Sequence, residues 1–263
     1  MGPSRIVCRR GALEAAAVGA VLLVVAGYRP TGLDAQSPES AVQAAGSSLE
    51  IPALSEIWTR RGRVGEDGPI RLTARAIGFR EMFDEVLAPR YDCRPATAPV
   101  IIRDPYNFRI EQQPDRVLLI YEKDDVVRTV WLEGHGHPTP GPADFSMQGH
   151  SIGRYEGDSL VVETTKFDFD PNGTVNSGNV ASSTLKKVTE RYRRIGDRLR
   201  AEVVAEDPLI LLEPYRFTYE WDRTEVELAA FDCVPEEARF PAQFFPSKYR
   251  DPNWVRLPGG DAQ

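Results

Sequence analysis

Thr184-Leu-Lys-Lys-Val-Thr-Glu-Arg-Tyr-Arg-Arg194, Gly196-Asp197 and Arg198-Leu-Arg-Ala-Glu-Val-Val-Ala205 form the passage that decides the fold. Apolar and polar residues alternate with period two, which is the signature of a strand with one face buried. Gly196-Asp197 is short turn punctuation, so the two halves read as an antiparallel hairpin. The same pattern extends outward in both directions. Upstream, residues 107–112, 115–122, 125–133, 149–155 and 158–166 read as strands, separated by Gln113-Pro114, Lys123-Asp124 and Glu156-Gly157-Asp158. Downstream, 212–222 and 226–234 follow, divided by Arg223-Thr224.

About nine strands joined by tight turns predict a mainly β domain. The expected form is an antiparallel meander closing into a lipocalin-like barrel, because closure removes exposed sheet edges. A sandwich is the alternative. Within 212–222, Tyr215, Phe217, Tyr219 and Trp221 alternate with Arg216, Thr218 and Glu220, so one face is wholly aromatic. Such a face packs a core or, in a barrel of this size, walls a small ligand cavity. Before the strands, Leu72, Ala76, Phe79, Phe83 and Val86 recur at spacings of three and four, predicting one helix over 71–88 that Pro89 ends. From Pro235 the chain loses periodicity and reads as a strap over the barrel.

The N-terminus carries the marks of export. Arg5, Arg9 and Arg10 precede an apolar stretch from Ala12 to Gly27, and Leu33-Asp34-Ala35 offers a cleavage site. Residues 1–35 therefore read as a signal peptide, 36–50 as a flexible leader and 51–263 as a single domain, periplasmic or extracellular. The full chain has 32 basic and 39 acidic residues. Removing 1–35 takes away four arginines and two acids, leaving a net charge of −9. That balance argues against nucleic acid, whose binding depends on neutralising phosphates, and offers no polybasic route to a lipid surface. With no membrane insertion expected after processing, a small organic molecule is the expected partner. Cys93 and Cys233 survive processing, and an even pair in an oxidising compartment predicts a disulfide, with two separate buried thiols as the alternative.

His135, His137 and His150 are the three histidines of the chain, and all fall within 16 residues. Imidazole is the side chain most readily used near neutral pH as acid, base or metal ligand. Three readings compete: acid–base catalysis with carboxylate help, a three-histidine metal site, and structural bonding to the loop backbone. His135-Gly-His137-Pro lies in a Gly/Pro-rich loop rather than a strand, which weighs against the metal. Strand residues Glu163 and Glu190 are the candidate carboxylates. For each, the alternative is a structural pair with Arg128 or Arg191.

Asn107 to Glu122, Gly149-His-Ser-Ile-Gly-Arg-Tyr-Glu-Gly-Asp-Ser-Leu-Val-Val-Glu-Thr and Val188-Thr-Glu-Arg-Tyr together resemble a family of exported bacterial proteins. Its members share a Gly-His-Ser-x-Gly-x-Trp-Glu-Gly-Asp-Thr-Leu-Val-Val pattern. The resemblance spans about residues 52–235 and implies an exported, calycin-like β domain, without implying one activity. The pattern falls on Tyr121, Glu122, His137, Pro138, His150, Glu156, Asp158, Glu163, Thr189, Glu190 and Arg191. His135 stands where relatives often have arginine, and the Pro-His-Ser common before their Thr-Glu-Arg strand is Val180-Ala-Ser-Ser here.

Two local patterns are set aside. Gly149-His-Ser-Ile-Gly has the order of a serine-hydrolase elbow but lacks its strand–turn–helix context. Asp168 to Asn179 starts like an EF-hand loop but ends without the bidentate glutamate. The resulting expectation is metal-independent acid–base chemistry of the lyase or isomerase class, with no cofactor. His137 and His150 transfer protons, Tyr121 and Glu163 or Glu190 assist, and Arg128, Arg191, Trp131, Tyr215 and Tyr219 contact substrate. A non-catalytic ligand carrier of lipocalin type is the chief alternative.

Overall fold

The computed structural model describes residues 51–66, 68–132, 134, 136–137, 144–175 and 178–244. Residues 1–50, which include the expected signal peptide and leader, lie outside the described residues, as do His135 and the end of the tail. Nine strands close into a barrel in the order β1-β11-β10-β9-β6-β5-β4-β3-β2. They are β1 (Ile57–Glu66), β2 (Phe108–Gln112), β3 (Arg116–Tyr121), β4 (Val127–Trp131), β5 (His150–Glu156), β6 (Ser159–Thr165), β9 (Lys187–Ile195), β10 (Arg198–Glu206) and β11 (Tyr215–Thr224). Strands β7 (Asp170–Val175) and β8 (Val180–Ser182) form a separate two-stranded ribbon. The expected mainly β, lipocalin-like closed barrel is therefore present.

Alternation accounts for the interior. From β9 and β10, Val188, Tyr192, Leu199, Ala201, Val203 and Ala205 point inward and are buried. The aromatic face of β11 is likewise buried, with Trp221 packed edge-on against Phe108 at 5.1 Å between ring centroids. A fully buried apolar side chain of this size contributes roughly 1.5–3 kcal/mol, so the inner face of the wall supplies most of the driving force.

Four departures from the expected fold have physical causes. First, the closing strand is β1, which the periodicity did not reveal. Its outer half is charged and exposed, and register shifts at Arg60/Gly62 and Arg63/Gly65 break the alternation. Second, residues 226–234 form no strand. Because β1 occupies the free edge of β11, no ladder remains for them. They run as an extended strap instead, held by Phe231 against Tyr106 and by the disulfide between Cys93 and Cys233. That bond closes a separation of 140 residues and contributes about 4–5 kcal/mol in the chain-entropy model. Third, the barrel is mixed rather than a pure antiparallel meander, since β4 and β5 pair in parallel through Val130↔Ser151 and Trp131↔Ile152. Fourth, the helix is shorter than 71–88. Helix α1 (Ala74–Met82) starts at the Thr73 cap, whose Oγ1 accepts from the Ala76 amide, and ends at Phe83 in extended backbone. Asp84 then caps a separate 3-10 turn, Glu85–Leu87.

One end of the barrel is closed by tight hairpins. At the other end, α1, the 3-10 turns at 85–92, the β7–β8 ribbon and the strap with α2 (Pro235–Arg239) gather over the strand ends.

Candidate functional site

The register of β6 and β9 sorts the expected site residues onto two sides of one wall. Val162 pairs with Glu190 and Glu163 with Thr189. Glu190 thus points into the barrel while Glu163, one step along the ladder, points out.

The inner group centres on one buried ion pair. Arg128 donates to both Glu190 oxygens, Nη2 to Oε1 at 2.6 Å and Nη1 to Oε2 at 3.1 Å. Tyr192 also donates to Glu190, and Arg128 reaches Tyr121 Oη and Thr164 Oγ1. Thr164 shares a hydrogen bond with Ser151 at 2.8 Å. Both charged groups are almost wholly buried, with side-chain exposures of 1% and 0%. Burial pushes the Tyr121 and Tyr192 phenols above their ordinary value, with the Glu190 charge adding to it. Burial acts to lower Arg128, but the Glu190 carboxylate outweighs it and holds the guanidinium above its usual range. A buried ion pair of this kind persists because its geometry is bidentate and both Nη groups of the guanidinium are met, which leaves only Nε without an acceptor among the described residues. Tyr121, Arg128 and Glu190 are thus brought together, apart from the histidines. Ser151 sits buried in strand backbone, not on an elbow.

The outer group is a chain of three. His137 Nδ1 and His150 Nδ1 lie 3.0 Å apart, and His137 Nε2 lies 3.4 Å from Glu163 Oε1, within ion-pair distance but outside hydrogen-bond geometry. Lys187 forms a close ion pair with the other Glu163 oxygen. Burial lowers the His137 pKa, outweighing the Glu163 charge and contact that raise it, while Lys166 and Lys187 lower it further. Burial acts to raise Glu163, yet the Lys187 hydrogen bond and charge, then His137 and Arg154, hold its carboxyl below the usual range. A neutral imidazole beside an ionised carboxylate results. Because the two partners of His137 meet opposite ring nitrogens, the three groups form a line instead of converging on one point. No cluster of three metal-ligating side chains occurs among the described residues.

His150 is placed by its neighbour. Gly149 has φ +67°, and a Cβ there would lie 2.5 Å from the Thr165 carbonyl oxygen, so only glycine lets β5 begin this close to β6. His150 lines a cleft of about 300 Å³ at the short parallel β4–β5 junction, together with Arg128, Trp131, Gln148 and Ser151. Arg128, whose side chain is buried inside the wall, has its Nε without an acceptor among the described residues. The cleft therefore lies between His150 of the outer group and Arg128 of the inner group. Trp131, beneath the Arg116 guanidinium at 4.7 Å, forms one wall.

The remaining expected contacts fall elsewhere. Arg191 pairs with Glu156 on the outer surface. Tyr215 and Tyr219 line a different cavity at the elaborated end of the barrel. The β7–β8 ribbon occupies the calcium-loop lookalike, where Asp170 Oδ1 accepts from the Asn172 amide within its own turn. Lys187 and Tyr192 had not been singled out from the sequence. Each shares strand parity with a residue that was, Lys187 with the outer set and Tyr192 with Glu190.

Comparisons with protein-family models, with curated proteins and with solved structures find no match.

Proposed function

We propose that this chain is an exported small-molecule enzyme using metal-independent acid–base chemistry at the β4–β5 cleft, of the hydration/dehydration, isomerisation or cyclisation type. The observation carrying this reading is the 3.0 Å contact between His137 and His150, with Glu163 at the far nitrogen of His137. In the relay tautomer, His137 Nε2–H points toward Glu163 and bare His137 Nδ1 accepts from His150 Nδ1–H. His150 Nε2 then carries the lone pair. When it takes a proton from a substrate C–H or O–H, the bonding pair stays on the substrate. The Nδ1 proton moves to His137, whose positive ring then stands beside the Glu163 carboxylate. A positioned imidazole contributes typically 10²–10⁴-fold. Arg128 Nε–H supplies a donor for a substrate oxygen, and Trp131 supplies an apolar wall, which suits a partly apolar organic molecule. The disulfide fits an oxidising compartment.

The test is an untargeted incubation of the purified protein with metabolite mixtures in heavy water, read by mass spectrometry for loss or gain of water or deuterium uptake. His150→Ala and His137→Ala should each lower the turnover found by at least about 100-fold. Turnover that survives both changes, or that tracks stoichiometric bound metal, overturns the reading.

A further inference from the structure

A second cavity, of about 550 Å³, opens between β1, β11 and the segments over the elaborated end of the barrel. Arginines outnumber carboxylates in its lining: Arg60, Arg63, Arg90 and Arg103 face Glu66 and Asp104, in a chain whose net charge is −7. Arg63 pairs with Glu66 and Arg90 with Glu85, so the excess rests on Arg60 and Arg103. A cationic concavity in an acidic protein focuses anions.

How the arginines are held is more telling. Arg60 Nε donates to Tyr219 Oη at 2.7 Å, and Tyr219 Oη donates in turn to the Arg103 carbonyl at 3.3 Å. Arg103 Nη1 donates to Tyr215 Oη at 3.0 Å, and Tyr215 donates to Glu66 Oε1 at 2.7 Å. Arg60 and Arg103 are thus positioned by neutral phenols, and neither forms an ion pair among the described residues. Arg103 Nε is buried without an acceptor among them. Contrast Arg128, whose charge is met face to face by Glu190. A guanidinium has five donors in a planar fork that matches an oxyanion, and leaving one buried and unmet costs stability that a bound oxygen would restore. Ile70, Val100 and Val175 complete an apolar side of the same cavity.

We infer that this cavity is a binding site for a small organic oxyanion, a carboxylate or phosphate group on an apolar or aromatic body, with Arg60 and Arg103 as its primary donors. The site lies on residues other than the histidine cleft and stands whether or not that cleft is catalytic. Its volume falls in the range of small-molecule pockets.

The test is calorimetric titration of the purified protein with naphthoate and naphthyl phosphate, beside naphthamide and naphthol as uncharged counterparts. At least one anion should bind at least about tenfold tighter than its neutral counterpart, with affinity falling as salt rises; whichever anion does so identifies the headgroup. Arg60→Gln and Arg103→Gln should each weaken that binding by about tenfold or more, while Arg193→Gln on the outer wall leaves it unchanged. Arg63→Gln, at an exposed position, provides a second variant should a buried change unfold the protein, and should also weaken binding. Equal binding of charged and neutral ligands, no binding of either anion, or full affinity in the arginine variants overturns the inference.

Discussion

Glu190 and Glu163 lie on neighbouring strands, one ladder step apart in register, and live in different chemical worlds. Inside the barrel, Glu190 has every neighbour arranged to meet it: both arginine amino groups and a phenol. Outside, Glu163 meets a lysine on one oxygen and an imidazole on the other, and that imidazole leads to a second one beside a cleft. The inner group is built on a fully buried bidentate ion pair, whereas the outer group is a half-buried line that reaches a cleft at His150. The buried pair suits a structural role because neither partner can change charge without stranding the other. A line reaching a cleft suits proton transfer because a proton entering at the cleft can be balanced at the carboxylate.

The largest effect should therefore come from the inner side. Glu190→Ala leaves Arg128 buried and uncompensated, and should cost about 3–5 kcal/mol of stability. Replacing both partners with apolar residues, Arg128→Met with Glu190→Leu, should recover most of it, since no charge is then left buried. Denaturant unfolding of the parent and both variants checks this. A loss under about 1 kcal/mol for Glu190→Ala would mean that water or a neighbour readily replaces it, and the contrast between the two sides would collapse.

Next in size is the stability of the outer variants, expected within about 0.5 kcal/mol of the parent for His150→Ala, as for most surface changes away from the core. Combined with the turnover loss expected of the same variant, this separates function from fold. Nitrogen-15 spectra of the imidazoles sharpen it. The relay requires His150 to carry its proton on Nδ1 and His137 on Nε2, whereas two Nε2–H tautomers would leave the 3.0 Å contact without a hydrogen.

How much of this was visible in the sequence follows from what alternation encodes. It reports which residues share a face, so the barrel strands from β2 to β11 were legible to within a few residues. Strand β1 was not, because Arg60, Arg61 and Arg63 with two glycines at register shifts give no period. Residues 226–234 alternate well yet form no strand, since a pattern cannot say whether a partner edge is free. Nor does alternation encode direction, which hid the parallel β4–β5 pairing and with it the cleft. His137 and His150, both singled out from the sequence, lie in contact, though the cleft is lined by His150 and not by His137, and the division between Glu163 and Glu190 needed the register. The arginine cavity left no local signal at all: its lining comes from residues 60 to 219, joined only by closure of the barrel.

The smallest effect is the most diagnostic of the outer line. Burial lowers the native His137 pKa below the ordinary value of 6.5. Between the lowered native value and about 6.5, the unfolded chain holds more protons at this position than the native one, so stability should rise with pH through that window and level off above it. Below the native value both states are protonated and the cost is fully present. Glu163 acts in a separate range: its depressed carboxyl lends stability above its ordinary 4.5, lost as pH falls through the native value. Subtracting the unfolding free energy of His137→Gln from that of the parent, at intervals from about pH 5 to 7.5, isolates the histidine. The difference should shift in the parent's favour as pH rises. A difference moving the other way would mean that the native ring is held as an imidazolium by Glu163. The line would then start out protonated, and His150 would serve as an acid toward its substrate rather than as a base.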